Sequence, residues 1–187
     1  VNLARLRHAL ELNSLLAAPG LTLHALAASD TAGEQRLDGD DVFARLSPLS
    51  HLEPVTAPVP TVRLDDLLHD LCAPGAPPVH ACKIDVEGAE WQVLRGATRL
   101  IHSGSLPVLI LEFRGHLEVY GGAESDFIDW LRQTGGYRLA RYEHDTATLP
   151  LDPAPPFEPD LLAVTPAGLD LIRSRLPSLR VAPAASS

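Results

Sequence analysis

Asp85 and Glu87 stand two residues apart in the run His80-Ala-Cys-Lys-Ile-Asp-Val-Glu-Gly-Ala-Glu-Trp-Gln-Val-Leu-Arg-Gly-Ala97, with Gly88 directly behind them. Carboxylates so placed can remove a proton from a reacting group, orient a cationic ligand or clamp a metal ion. Ala81 to Val86 has the pattern of a short buried strand. Val93, Leu94, Ala97, Leu100 and Ile101 then recur at helical spacing, so a helix opens near Gly88 with one apolar face for a sheet. The two acids therefore fall at the carboxyl end of a strand and the amino end of a helix. In an open α/β sheet this edge is where ligands bind, because loops leave a crevice and helix N-termini expose free N–H groups. Lys83 precedes Asp85 by two residues and shares its strand face, which suits it to pair with a carboxylate. Glu112 ends Val108-Leu-Ile-Leu-Glu-Phe113, the most hydrophobic run of the chain. It reaches the same edge if the two strands are parallel.

The elements needed to position these groups can be traced along the chain. Leu3, Leu6 and Leu10 mark a helix from Asn2 to about Leu16, stopped by Pro19-Gly20. Leu21 to Ala28 alternates as a strand, parallel because a helix precedes it. Residues 34–60 form an irregular, proline-interrupted excursion, with one short strand near Thr61-Val62 and a brief helix over Asp65 to Leu68. After the strands at 81–86 and 108–113, Phe127, Ile128, Trp130 and Leu131 define a helix ended by Gly135-Gly136. Tyr137–Tyr142 and Asp160–Val164 are two last strands, with a proline-rich loop at 150–159 between them. Thr165-Pro166 is an N-cap and N1 pair opening a helix through Leu176. The order predicts one α/β domain over residues 1–180, a mostly parallel sheet covered on both faces with one antiparallel strand, and a disordered tail at 181–187.

Composition narrows the function. The 187 residues carry a formal charge of −9, with no basic cluster, which argues against a nucleic-acid partner and for a small-molecule substrate. No apolar run reaches the roughly 18–20 residues of a membrane span. Cys72 and Cys82 have neither disulfide-framework nor zinc spacing, so a cytoplasmic setting without a structural metal is expected. The acidic turn Asp38–Asp41 resembles half a calcium loop but lacks the twelfth-position ligand. The chain holds no methionine and opens inside a helical pattern, so a natural start upstream is expected.

Lys83-Ile-Asp-Val-Glu-Gly-Ala-Glu90 followed by Val93-Leu-Arg-Gly-Ala97 closely resembles the signature of the FkbM family of S-adenosylmethionine-dependent methyltransferases. Val62-Arg-Leu-Asp-Asp-Leu-Leu68 is similar to the segment leading into that signature, and Pro107–Phe113 to the strand after it. The likeness covers roughly Asn2 to Thr165. It implies a class I methyltransferase (Rossmann-like) fold whose last strand inserts antiparallel beside the fifth. The strands found here would be its third to seventh. The first two strands would be missing, with the glycine-rich loop and ribose-binding acid that follow them, so weak or absent cofactor binding by the chain alone is expected.

The resemblance also implies roles. Asp85 would lie beside the sulfonium and amino group of S-adenosylmethionine, with Glu87 near cofactor or substrate. Ser29 and Asp30, after the third strand, would contact the adenine. Asp85 or Glu112 would act as base in O-methylation of a sugar, polyketide or other small natural-product hydroxyl. Each residue has a plainer alternative. Asp85 could cap the following helix, Glu87 and Glu90 complement its dipole, Ser29-Asp30 form a turn, and Glu112 and His116 merely be solvated. Two rival functions stay open: a metal-dependent glycosyltransferase using Asp85 and Glu87, and a non-catalytic remnant of the fold.

Overall fold

Pro107 lies just ahead of the most apolar run, where a residue without an N–H interrupts no ladder that begins one position later. The computed structural model describes residues 2–38, 45–46, 58–73, 75–112, 122–153 and 160–183. In chain order its elements are α1 (Asn2–Leu12), β1 (Ala27–Ala28), β2 (Gly33–Gln35), β3 (Leu37–Asp38), β4 (Arg45–Leu46), β5 (Val59–Val62) and α2 (Leu64–Leu67). A 3-10 turn at His69–Cys72 leads to β6 (Cys82–Ile84), α3 (Glu90–Arg95), α4 (Thr98–His102), β7 (Val108–Glu112) and α5 (Glu124–Gly135). The chain continues with β8 (Arg138–Ala140), β9 (Thr148–Leu151), β10 (Asp160–Val164), α6 (Pro166–Arg175) and β11 (Arg180–Pro183).

The larger sheet has six strands in the order β11-β9-β8-β10-β7-β6. β6 and β7 are parallel, with Cys82 opposite Leu109 and Ile84 opposite Leu111. β10 lies antiparallel between β7 and β8, and is paired with both. Its first residue, Asp160, stands opposite Glu112, and Val164 opposite Val108. A smaller sheet has the order β1-β5-β2, and β3 pairs with β4 apart from both.

Helices cover the larger sheet on both faces. On one face Ile84, Leu109 and Leu111 are buried with Val93, Leu94, Ala97, Leu100, Ile101, Phe127 and Leu131 from α3, α4, α5 and the turn between α3 and α4. On the other, Val108, Ala140, Leu149, Leu151 and Val164 pack with Leu169 of α6. α5 stops at Gly136, whose φ of 63° suits a residue without Cβ, and its N–H bonds the Arg132 carbonyl. α6 starts as its residues dictate: Thr165 Oγ1 accepts the Gly168 N–H at 3.1 Å, with Pro166 in the first turn.

Other elements differ from their sequence pattern. α1 ends at Leu12: the Asn13 side-chain amide also bonds the Ala9 carbonyl, in competition with the last helical N–H, and Ser14 turns left-handed at φ 56°. Its Leu3, Leu6 and Leu12 are exposed. The strand expected at 21–28 shrinks to Ala27–Ala28, since among the described residues only these find a strand partner, parallel to β5. Strands beyond those expected are β2, β3, β4, β9 and β11. β9 pairs antiparallel with β8 and parallel with β11, so the larger sheet is mixed, with three of its five pairings antiparallel, where a mostly parallel sheet was expected. Residues 181–183 extend β11, where a disordered tail was expected. Residues 184–187, like Phe113, His116 and Gly39 to Asp41, lie outside the described residues. No helix among the described residues is long and apolar enough to cross a membrane.

Candidate functional site

The register of β6 against β7 decides where the candidate acids point. Ile84, Leu109 and Leu111 face the core under α3 to α5, so alternation sends Lys83, Asp85 and Glu112 to the opposite face. There Lys83 Nζ lies 2.7 Å from Asp85 Oδ2 and 3.7 Å from Glu112 Oε2. The three side chains thus meet at the carboxyl ends of two parallel neighbours. Lys83 and Asp85 are about half exposed, while the Glu112 side chain is 14% exposed. Pairs this open add little to stability, so the value of the cluster is positional.

The loop after β6 is held from beneath. Glu87 has φ 51° and Gly88 φ 102°, two successive left-handed residues, of which only the glycine is unstrained. Glu90, in the first turn of α3, is 1% exposed. Its Oε1 accepts the Gly88 N–H at 3.2 Å and the Val86 N–H at 3.4 Å. Burial pushes the Glu90 carboxyl above its ordinary range, against the lowering effect of these backbone bonds; the neighbouring charge of Glu87 pushes it the same way as burial. The N-cap position of α3 is Ala89, and Lys83 engages Asp85.

Ser29 and Asp30 sit at the other end of the same helix. The Ser29 N–H bonds the Val62 carbonyl, and Ser29 Oγ reaches Asp30 Oδ1 at 3.4 Å. Asp30 pairs with Arg95 at 3.6 Å, and Arg95 also lies over the Trp91 ring. Gly96 packs against them so closely that an added Cβ would fall 2.1 Å from the Ser29 carbonyl oxygen. The six residues of α3, roughly 9 Å long at 1.5 Å per residue, therefore separate the Ser29–Asp30 pair from the Asp85–Gly88 loop.

Two features escaped the sequence. Asp65 is fully buried and accepts N–H bonds from Arg99 and Leu100, both at 3.0 Å, so it caps α4 from another part of the chain. Nothing in an Asp-Asp pair on a short helix distinguishes it from a solvated acid. The second is a set of buried polar atoms without partners among the described residues: Thr61 Oγ1, Arg63 Nε, Trp91 Nε1 and Gln92 Oε1. Thr61 and Arg63 lie at the end of β5 beside Ser29. Gln92 is four residues before Gly96 and so is on the same side of the helix. A cavity of about 580 Å³ lies elsewhere, at the opposite strand ends, between Val79 and His80, Ser103 and Ser105, and Leu171 and Arg175 of α6.

Comparison with known proteins agrees with the signature. A search of curated proteins and a search of solved structures each found no match. The model of the methyltransferase FkbM domain matches residues 13–139, which include the β6–α3 loop and both strands carrying the ion cluster. The chain belongs to the FkbM methyltransferase domain family.

Proposed function

We propose that the chain is an S-adenosylmethionine-dependent methyltransferase domain of class I fold, methylating a hydroxyl oxygen of a small molecule such as a sugar or polyketide. The observation that carries this reading is the Lys83–Asp85–Glu112 cluster at the carboxyl ends of β6 and β7. The antiparallel insertion of β10 between β7 and β8 supports the fold. A charge of −9 suits a small neutral substrate better than a nucleic acid, and a cytoplasmic setting is part of the same reading.

The residues present fit the cofactor in part. The carboxylates of Asp85 and Glu87 suit its cationic sulfonium and amino group. The unpartnered Thr61 Oγ1 and Gln92 Oε1 offer hydrogen bonds near Ser29 and Asp30, to which the reading gives the adenine. When bound, S-adenosylmethionine supplies an electrophilic methyl group. The chain's own work is to align the substrate hydroxyl and take its proton, with Asp85 or Glu112 as base. Lys83 keeps the two carboxylates side by side, so the base is fixed before substrate arrives. The glycosyltransferase reading fares worse, because the Lys83 ammonium at 2.7 Å from Asp85 takes the place a divalent cation would need.

The test is calorimetric titration of the full-length protein with S-adenosylmethionine, followed by turnover of Asp85→Asn. The substitution is expected to lower methyl transfer at least about tenfold, equivalent to about 1.4 kcal/mol of barrier, with an unchanged circular dichroism spectrum. Absence of cofactor binding would sink the reading. Unchanged turnover would remove Asp85 from the chemistry.

A further inference from the structure

We infer that Glu90 is the positioning residue of this site, the group that holds the Asp85–Gly88 loop in its working shape. The inference rests on the proposed methyltransferase reading only for what the loop is for, not for how it is held. Position in the first turn of a helix would give an acid a solvated, dipole-complementing role. Glu90 instead is 1% exposed, and a single carboxylate oxygen gathers the N–H groups of Val86 and Gly88. These two amides flank Glu87, the one residue of the loop that is held left-handed without being glycine.

A non-glycine residue at φ 51° persists only where its surroundings over-determine it. Here the restraint is local. The N-cap residue of α3, Ala89, has no side chain with which to bond the loop, and its N–H reaches only as far as the Val86 carbonyl at 3.3 Å. With Glu90 removed, the Val86 and Gly88 amides lose a buried acceptor, and Glu87 is free to relax toward right-handed backbone. The carboxylates of Asp85 and Glu87 would then take up a range of positions. Glu90 reaches the ligand only through this loop.

The experiment compares Glu90→Ala and Glu90→Gln with the parent protein by amide hydrogen exchange, and then by titration with S-adenosylmethionine. In Glu90→Ala, exchange at Val86 and Gly88 should quicken at least about tenfold, equivalent to about 1.4 kcal/mol. Leu109 and Leu139, in the sheet, should keep their protection. Glu90→Gln retains an acceptor oxygen of the same reach and should restore Val86 and Gly88. Unchanged exchange at these two amides overturns the inference. So does an equal loss of protection across the sheet, which would make Glu90 a general support of the fold. In the titration, weaker binding by Glu90→Ala with recovery in Glu90→Gln supports the inference, and equal binding by all three overturns it. The titration uses the full-length protein; failure of the full-length parent to bind overturns the methyltransferase reading, and the exchange comparison then decides Glu90 alone.

Discussion

Replacing Asp65 by alanine should cost more stability than any other acidic substitution in the described chain. Oδ1 accepts the Leu100 N–H and Oδ2 the Arg99 N–H, each at 3.0 Å, in a side chain with no exposure. The N-cap position of α4 is Ala97, so these amides have no other side chain to turn to. Hydrogen bonds to a charged acceptor are worth about 1.5–3 kcal/mol each, and the two together set the loss at about 3–4 kcal/mol once partial solvation of Arg99 is allowed for. The guanidinium groups of Arg63 and Arg99 approach Asp65 at 3.4 and 3.7 Å, but the Arg99 side chain is 61% exposed and adds little. For a chain of this length each kcal/mol lowers the melting temperature by roughly 2–4 °C, so a fall of about 10 °C is expected. Asp65→Asn keeps one acceptor oxygen and should lose about 1–2 kcal/mol. Thermal and urea unfolding followed by circular dichroism measure both. An Asp65→Ala protein within about 0.5 kcal/mol of the parent would refute the capping argument.

Three further outcomes can be stated. Gly96→Ala places a methyl 2.1 Å from the Ser29 carbonyl oxygen, a backbone atom with little freedom to move, and should cost at least about 1–3 kcal/mol by urea unfolding; a neutral result would mean the two segments are not in contact. Thr165→Ala removes the bond to the Gly168 N–H and should cost about 1 kcal/mol, with no effect on cofactor binding. Glu90 binds its proton more tightly folded than unfolded, so its contribution favours folding at low pH and is lost as pH rises through the raised value. Glu90→Gln should therefore gain on the parent in urea midpoint as pH climbs from about 4 to about 8, and a pH-independent difference would contradict the burial effect.

The parts of the fold visible in the sequence are those whose cause is local. Thr165-Pro166 announces α6, Gly136 ends α5, and the apolar run after Pro107 becomes β7 because each depends on residues within one turn or one strand. The ion cluster was visible for a similar reason. Lys83 and Asp85 share a face by alternation, and Glu112 joins them once β6 and β7 are parallel. What stayed hidden depends on distant partners. Asp65 caps a helix more than thirty residues away, and β9 includes Pro150, which marks it as loop until β11 pairs beside it. Leu21 to Leu26 alternates like a strand yet joins no strand among the described residues, because alternation reports a face and not a neighbour. Glu90 misleads in the other direction: its helix position suits an exposed acid, and only the left-handed turn before it brings two amides within reach.

The place of β10 between β7 and β8 bears on how the protein is born. Those two strands do not pair with each other; they are joined through β10, a segment that leaves the ribosome later than either. Until Val164 emerges, β7 and β8 each present a bare edge to solvent, the condition in which nascent chains adhere to one another. Chaperone dependence during synthesis should accordingly end at that residue, well after the Asp85–Gly88 loop has been made.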